Sequence, residues 1–193
     1  MGIAYCLIRT SPENIEVLRD RPKAVAEFVY QDPDVYEEPK SSFLSKLFGN
    51  KAQTDDGPVP KRLEGDEEDI DKSWHIVHYL LCGDAGRGDG PLAIIGDDLN
   101  PLADINLGLG KPNIISADWV KEFAELASHM TDESFLERYV PEEMPLNELY
   151  MGDVVARGDV GDIREYALEN FQFLRDFASE AAENGQAIIT YYT

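Results

Sequence analysis

The two segments best suited to form β-strands lie at opposite ends of the chain. Residues 3–10 have an alternating pattern of side chains and are rich in strand formers. Residues 186–192 are apolar, β-branched and aromatic. The sequence between them lacks the regular alternation of strand and helix that builds a doubly wound parallel sheet. We therefore predict an α+β fold, in which a small sheet includes the N- and C-terminal strands and packs against several helices.

Capping residues mark where the helices begin and end. Ser11, Ser116 and Thr131 are typical N-cap residues, and Gly83 and Gly185 suit the left-handed position after a helix. Short apolar runs at 92–96 and 113–116 are interpreted as brief strands. Periodicity and caps together predict helices over approximately these ranges: 12–18, 22–30, 69–81, 117–130, 132–139 and 161–184.

The length of 193 residues favours one domain. Residues 31–68 differ from the rest, because four prolines and several acidic clusters interrupt any long periodicity. We therefore predict a single domain over residues 1–193, with a mobile, acidic, proline-containing insertion at about 31–68.

The chain carries 17 Lys+Arg against 38 Asp+Glu, a formal net charge of −21. A hydrophobic content of 43% provides a packed core and excludes wholesale disorder. The charge repels polyanions, so nucleic acid and anionic membranes are not expected as partners. A basic protein, in contrast, is attracted to such a surface.

The sequence contains no segment of about 18 consecutive apolar residues, the length needed to span a bilayer. The first ten residues lack the basic region and the cleavage site of a signal peptide. Two cysteines, Cys6 and Cys82, are too few for a disulfide scaffold. A cytoplasmic location is therefore expected.

Four potential metal ligands follow one face of the helix predicted at 69–81. Asp71, His75, His78 and Cys82 recur at i, i+4, i+7 and i+11, and His75 and His78 lie close enough to share one ion. At most two or three of the four can reach a single ion. The alternative is that His78 forms a hydrogen bond in the core, Cys82 is a small buried apolar residue and His75 faces solvent. The sequence thus predicts no metal site or cofactor, with His75, His78 and Cys82 as weak candidate ligands.

The remaining motifs favour binding over catalysis. The glycine-rich loop at 83–90 lacks the Lys-Ser/Thr of a P-loop and follows a helix instead of a strand, so it is interpreted as a turn. No nucleophile-elbow sequence is present, and no catalytic motif is recognised. Among the aromatic residues near the C-terminus, Phe173 and Tyr192 occupy positions that leave them exposed. An exposed aromatic side chain among carboxylates suits a protein-binding patch.

Three segments together resemble the YfbM-like family, a bacterial domain of unknown function with an α+β fold. The most specific is the Asp-x-Asp-Lys-x-Trp-His-x-x-His-x-Leu-Leu-x-Gly stretch at 69–83, and the others are at 90–120 and 174–192. The resemblance covers residues 1–30 and 69–193. It implies the fold, and it marks a candidate functional surface without assigning roles: Asp71, Lys72, Trp74, His75 and His78.

Two segments depart from the pattern of that family. Members often carry a Gly-Pro-x-Arg-Tyr-Leu-like sequence where this chain has Lys111-Pro112-Asn113, and a Tyr-Pro followed by a Trp where it has Tyr150-Met151-Gly152. Any role of the missing Arg, Tyr and Trp side chains therefore cannot be transferred to this chain.

Two functional hypotheses follow. The first is a small acidic cytoplasmic protein-binding module, such as an inhibitor or a toxin-neutralising immunity protein, that binds a basic partner. The alternative is an enzyme or a protein that binds a small ligand or metal, with its site around Asp71, Lys72, His75 and His78. A third interpretation is that the acidity serves only solubility.

Overall fold

A four-stranded antiparallel sheet joins the two ends of the chain. The structure is a computed structural model that describes residues 2–32, 34, 57–96, 100–158 and 162–193. Strand β1 (Tyr5–Thr10) pairs with the last strand, β4 (Ala187–Tyr192). Two three-residue strands, β2 (Glu67–Asp69) and β3 (Asn113–Ile115), complete the order β2-β1-β4-β3. The predicted pairing of the terminal strands is confirmed.

Seven α-helices accompany this sheet in the described residues, which confirms the α+β class. A side chain from Ser11, Ser116 or Thr131 accepts a backbone N–H in the first turn of the helix that follows it, as predicted. The helices are α1 (Pro12–Leu18), α2 (Pro22–Tyr30), α3 (Trp74–Cys82), α4 (Ala117–Ser128), α5 (Asp132–Leu136), α6 (Gly152–Arg157) and α7 (Ile163–Glu183).

The central strands are buried on both faces, because helices cover the two sides of the sheet. Tyr5 and Leu7 of β1 join a core formed with helices α3 to α7. Cys6 and Ile8 point the other way, into a core formed with α1 and α2. Helix α7 packs along α4 and against the first of these faces.

The helix predicted from residue 69 begins five residues later. Asp69 is the last residue of β2 and pairs with Cys6 of β1. A single 3₁₀ turn, Asp71–Ser73, then connects the strand to α3. The prediction of a helix at Asp69 was wrong because pairing with a distant strand determines the conformation there.

Three further predictions need correction. Residues 92–96 form turns and irregular structure, not a strand. Helix α6 has no counterpart among the predicted helices. Tyr192, expected to be exposed, is only 6% exposed because β4 is covered on both faces, whereas Phe173 is 37% exposed as expected.

Residues 33 and 35–56 of the predicted insertion lie outside the described residues. The C-terminal end of that segment belongs to the sheet, since Glu67 and Glu68 form strand β2. Arg62 connects the two ends of the predicted insertion: it forms an ion pair with Glu67 of β2 and donates a hydrogen bond to the carbonyl of Val29 of α2. No described helix is long and apolar enough to cross a membrane.

Candidate functional site

The residues of the 69–83 motif divide into two groups. Asp71 and Lys72 lie in the 3₁₀ turn before α3, whereas Trp74, His75, His78 and Cys82 lie on the helix itself. The turn changes the direction of the chain, so Asp71 does not continue the helical face of the histidines. The structure therefore separates Asp71 from the rest of the predicted surface.

Asp71 is held by a tyrosine of the longest helix. The hydroxyl of Tyr166 donates a hydrogen bond of 2.7 Å to Oδ2 of Asp71 and accepts the backbone N–H of Lys72 at 3.2 Å. Partial burial, together with the adjacent Asp71 carboxylate, raises the pKa of Tyr166. Asp71 adopts a left-handed backbone conformation with φ of 42°. These contacts indicate that Asp71 and Tyr166 hold the turn in place.

Lys72 is exposed, and its aliphatic chain passes close to the N-terminus. A Cβ added at Gly2 would clash with Cε of Lys72, so the lysine side chain lies across that glycine. Lys72 does not line the cleft beside α3 that is described below. The structure therefore does not bring it together with the histidines.

Trp74 lies at the centre of an aromatic cluster. Its ring is parallel to that of His75, with centroids 4.8 Å apart, and stacks on Tyr150 at 5.7 Å. Tyr192 contacts it edge-on at 5.0 Å. The indole N–H donates to the carbonyl of Ile3 over 3.1 Å. Trp74 thus connects α3 with both ends of the chain.

Both ring nitrogens of His75 are used in hydrogen bonds. Nδ1 accepts the backbone N–H of Tyr150 at 2.9 Å, so it carries no proton. Nε2 must then carry the proton, and it donates to the carbonyl of Ala85 at 2.7 Å. A metal ion can bind this ring only after one of these two bonds is broken.

His78 is 2% exposed and has a similar arrangement. Its Nε2 donates to the carbonyl of Gly86 at 2.7 Å, and its Nδ1 lies 3.9 Å from Sγ of Cys82. Burial lowers the pKa of His78 and raises that of Cys82 to about 11. The pair is therefore a neutral imidazole and a neutral thiol, the opposite of the thiolate–imidazolium pair of cysteine nucleophiles.

The geometry agrees with the alternative of a hydrogen-bonded His78 in the core. Among the described residues, no group of three or more His, Cys, Asp and Glu side chains is arranged to hold a metal ion. His75 is also bonded within the protein and does not simply face solvent. The two histidines of α3 donate hydrogen bonds to the carbonyls of Ala85 and Gly86, and these bonds hold the 83–90 loop against the helix.

A cleft of about 330 Å³ opens beside these histidines, and we call it the α3 cleft. Arg87 and Ile95 contribute to it although no sequence pattern indicates them, since they come from a bend and an irregular segment. Tyr192 of β4 also contributes; the sequence indicated it only as an exposed aromatic residue. The side chains and loop residues that line it are Trp74, His75, His78, Ala85, Gly86, Arg87, Ile95, Gly96 and Tyr192.

A second concave surface lies between β2 and α7. The guanidinium of Arg9 forms an ion pair with Glu180, donates to the carbonyl of Gly65 at 2.7 Å and lies 4.6 Å from the ring centroid of Phe177. We call this surface, of about 170 Å³, the Phe173 groove; it is lined by Arg9, Gly65, Glu68, Phe173, Asp176, Phe177 and Glu180. The sequence indicated only Phe173 of this set.

Comparison with known families decides where the chain belongs. The family described as a domain of unknown function, DUF1877, matches residues 1–191. The chain belongs to this family. A comparison with curated proteins gives no match.

The fold of this DUF1877 member is similar to that of a solved structure. The crystal structure of YfbM from Escherichia coli, a protein of unknown function, superposes with a TM-score of 0.57. The two sequences are 12% identical over 98% of this chain and 99% of that chain. The resemblance to YfbM-like proteins predicted from the sequence is thereby confirmed for the fold. Neither comparison assigns an activity, so a function has to be argued from the geometry of this chain.

Proposed function

We propose that this DUF1877 protein is a binding module that takes up a basic segment of a partner protein in the Phe173 groove. The proposal is carried by one observation: Phe173 is 37% exposed in a groove that is also lined by Glu68, Asp176 and Glu180. An exposed aromatic ring surrounded by carboxylates is complementary to a chain segment that combines positive charge with an apolar side chain.

The carboxylates converge on the groove from two elements. Glu68 lies on β2 opposite Leu7, whose side chain belongs to the core on the α7 side of the sheet. Asp176 and Glu180 lie one helical turn apart on α7. A basic segment placed between β2 and α7 therefore contacts negative charge on both sides.

The cation within the groove is already neutralised. Arg9 pairs with Glu180 and stacks over Phe177, and only 11% of its side chain is exposed. Asp176 forms an exposed ion pair with Arg175 at 3.5 Å, a weak contact that a basic partner can replace. Glu68 and Asp176 therefore remain to attract the partner. Because the whole chain carries a net charge of −21, long-range attraction also accelerates the encounter with a basic protein.

Phe173 supplies an apolar contact surface for the partner segment, which the carboxylates do not. It stacks on Phe177 with a centroid distance of 6.2 Å, so one part of the ring is packed and the other is available. Aromatic side chains that are partly packed in this way are frequent anchors of protein interfaces. We therefore expect the partner segment to place an apolar side chain on Phe173.

The proposal includes a location in the reducing cytoplasm. Both cysteines, Cys6 and Cys82, are free thiols. Free thiols persist where glutathione and thioredoxin keep proteins reduced, which supports this location.

Three synthetic peptides of equal length test the proposal. The first is lysine-rich with one central leucine, the second has serine in place of that leucine, and the third has glutamate in place of the lysines. We expect the first to bind most tightly in a fluorescence anisotropy titration and to weaken as salt increases, and the third not to bind.

A matched pair of variants distinguishes the contribution of the groove to binding from that of the overall net charge. Glu68→Gln/Phe173→Ala/Asp176→Asn removes two charges and one exposed apolar side chain from the groove. Glu122→Gln/Glu125→Gln/Leu126→Ala makes the same change on the exposed face of α4, where Leu126 is 45% exposed. We expect the first variant to weaken binding of the leucine peptide at least about tenfold and the second less than about threefold. Equal weakening by both variants would show that the attraction is unspecific and refute the groove.

A further inference from the structure

We infer that the α3 cleft is a binding site for a small organic anion, a molecule with one carboxylate or phosphate group on a compact apolar body. This site lies apart from the Phe173 groove and is supported by different residues. Its volume of about 330 Å³ is within the range of small-molecule sites, roughly 300–1,000 Å³.

Trp74, which is only partly buried, supplies the apolar surface that the α3 cleft offers to a ligand. Tyr192 and Ile95 lie behind it, with 6% and 0% of their surface exposed, and Tyr192 contacts Trp74 edge-on at 5.0 Å. None of the described residues that line the cleft is acidic, although the chain has 38 Asp+Glu in total. Asp84 lies beside this lining, where its carboxylate accepts the backbone N–H of Gly86 at 2.7 Å. The described lining itself is therefore less acidic than the rest of the surface, although a carboxylate is nearby.

Arg87 provides the positive charge. It is exposed at the cleft, and the described part of the chain offers it neither an ion pair nor a hydrogen bond. Other arginines are engaged, for example Arg9 with Glu180 and Arg62 with Glu67. An unpaired guanidinium beside an apolar cleft is suited to a bidentate contact with a carboxylate or phosphate.

The histidines act here as positioning residues. His75 and His78 use their Nε2 protons on the carbonyls of Ala85 and Gly86, so these protons are not available to a ligand. The two bonds hold the segment directly before Arg87 against α3. A loop held in this way loses little conformational freedom when a ligand binds.

The opposite wall of the cleft is held as well. The hydroxyl of Tyr5 donates to the carbonyl of Ile94 at 3.2 Å and accepts the backbone N–H of Gly96 at 3.3 Å. Ile95 lies between these two residues and is completely buried from solvent. Both sides of the cleft are thus fixed by buried side chains from other elements.

Three probes of nearly identical shape test the charge selection. Benzoate is an anion, benzamide is neutral and benzamidine is a cation. The readout is the indole N–H signal of Trp74 in a proton–nitrogen NMR spectrum, assigned with a Trp119→Phe variant. Trp119 is the internal reference, because its indole donates to the carbonyl of Pro91 and does not line the cleft.

We expect benzoate to shift the Trp74 signal in a saturable manner, with benzamide binding at least about tenfold more weakly and benzamidine weaker still. Phenyl phosphate distinguishes the two anions that Arg87 can bind, and saturation by either one supports the site. No saturable shift with either anion up to about 20 mM, or equal binding of benzamidine, would overturn the inference.

Variants complete the test. Arg87→Ala should weaken the affinity for the bound anion at least about tenfold, because it removes the only cation that lines the cleft in the described residues. Arg164→Ala is the matched control, since Arg164 is exposed on α7 outside the cleft. Equal losses in the two variants would exclude a specific role of Arg87 and overturn the inference.

Discussion

Tyr150 donates its backbone N–H to Nδ1 of His75 over 2.9 Å, and this contact determines where the imidazole proton resides. The remaining proton is on Nε2 and points to the carbonyl of Ala85 at 2.7 Å. His75 thus connects the segment before α6 with the loop after α3. A residue that looked like a metal ligand in the sequence is a neutral bridge between two irregular segments.

Replacing His75 by alanine should destabilise the protein. Both hydrogen bonds and the parallel contact with Trp74 are lost, and we expect the free energy of unfolding to decrease by about 1 to 3 kcal/mol. Urea denaturation measures this change. His129→Ala is the control, because His129 is exposed at the end of α4 and its loss should change the free energy by less than about 0.5 kcal/mol. An unchanged midpoint for His75→Ala would show that the bridge contributes nothing.

The buried His78 should make stability depend on pH. Burial lowers its pKa in the folded state, so between that value and the unfolded value of about 6.5 the unfolded chain binds more protons. The contribution of His78 to stability is therefore fully present above about pH 6.5 and decreases as the pH falls toward the folded pKa.

Urea unfolding at a series of pH values, for the wild type and for His78→Gln, isolates this contribution. The variant should lose less stability than the wild type on acidification, although it is less stable at neutral pH. His129→Gln should keep the pH dependence of the wild type. If all three proteins respond to pH alike, the pKa of His78 is not lowered in the folded state.

Cys82 should be an unreactive thiol despite its proximity to His78. Because its pKa is raised to about 11, its thiolate fraction near neutral pH is at least about a hundredfold lower than that of an unfolded cysteine. Alkylation by iodoacetamide, followed by peptide mass spectrometry, should be correspondingly slow in the native protein and rapid in urea. Rapid native modification of Cys82 would contradict this arrangement and favour a nucleophilic role.

The sequence predicted the parts of the fold that depend on local interactions. The caps at Ser11, Ser116 and Thr131 are hydrogen bonds within one helical turn, and the residue type alone indicates them. The terminal strands were also predictable, because both segments are rich in residues that favour strands. The alternation expected at residues 3–10 does not describe β1, which is buried on both faces.

Features that depend on distant residues were missed. Asp69 pairs with Cys6 across the sheet, which no helical pattern around Asp69 reveals. Tyr192 was expected to be exposed, but Trp74 covers it from a helix far away in the sequence. For the same reason Arg87 and Ile95 were not recognised as cleft residues, since four separate segments have to meet before the cleft exists.

Tyr166 and Asp71 should be energetically coupled, because the tyrosine hydroxyl donates directly to the carboxylate at 2.7 Å. Tyr166→Phe removes the donor, and Asp71→Gly removes the acceptor while it tolerates the left-handed backbone at φ of 42°. A double-mutant cycle by urea denaturation should give a coupling free energy of about 1 kcal/mol, a modest value because both side chains are only half-buried. Asn170→Ala in place of Tyr166→Phe serves as the control, since Asn170 bonds to the carbonyl of Tyr166 and does not touch Asp71. Additive effects of Tyr166→Phe and Asp71→Gly would mean that this bond does not hold the turn before α3.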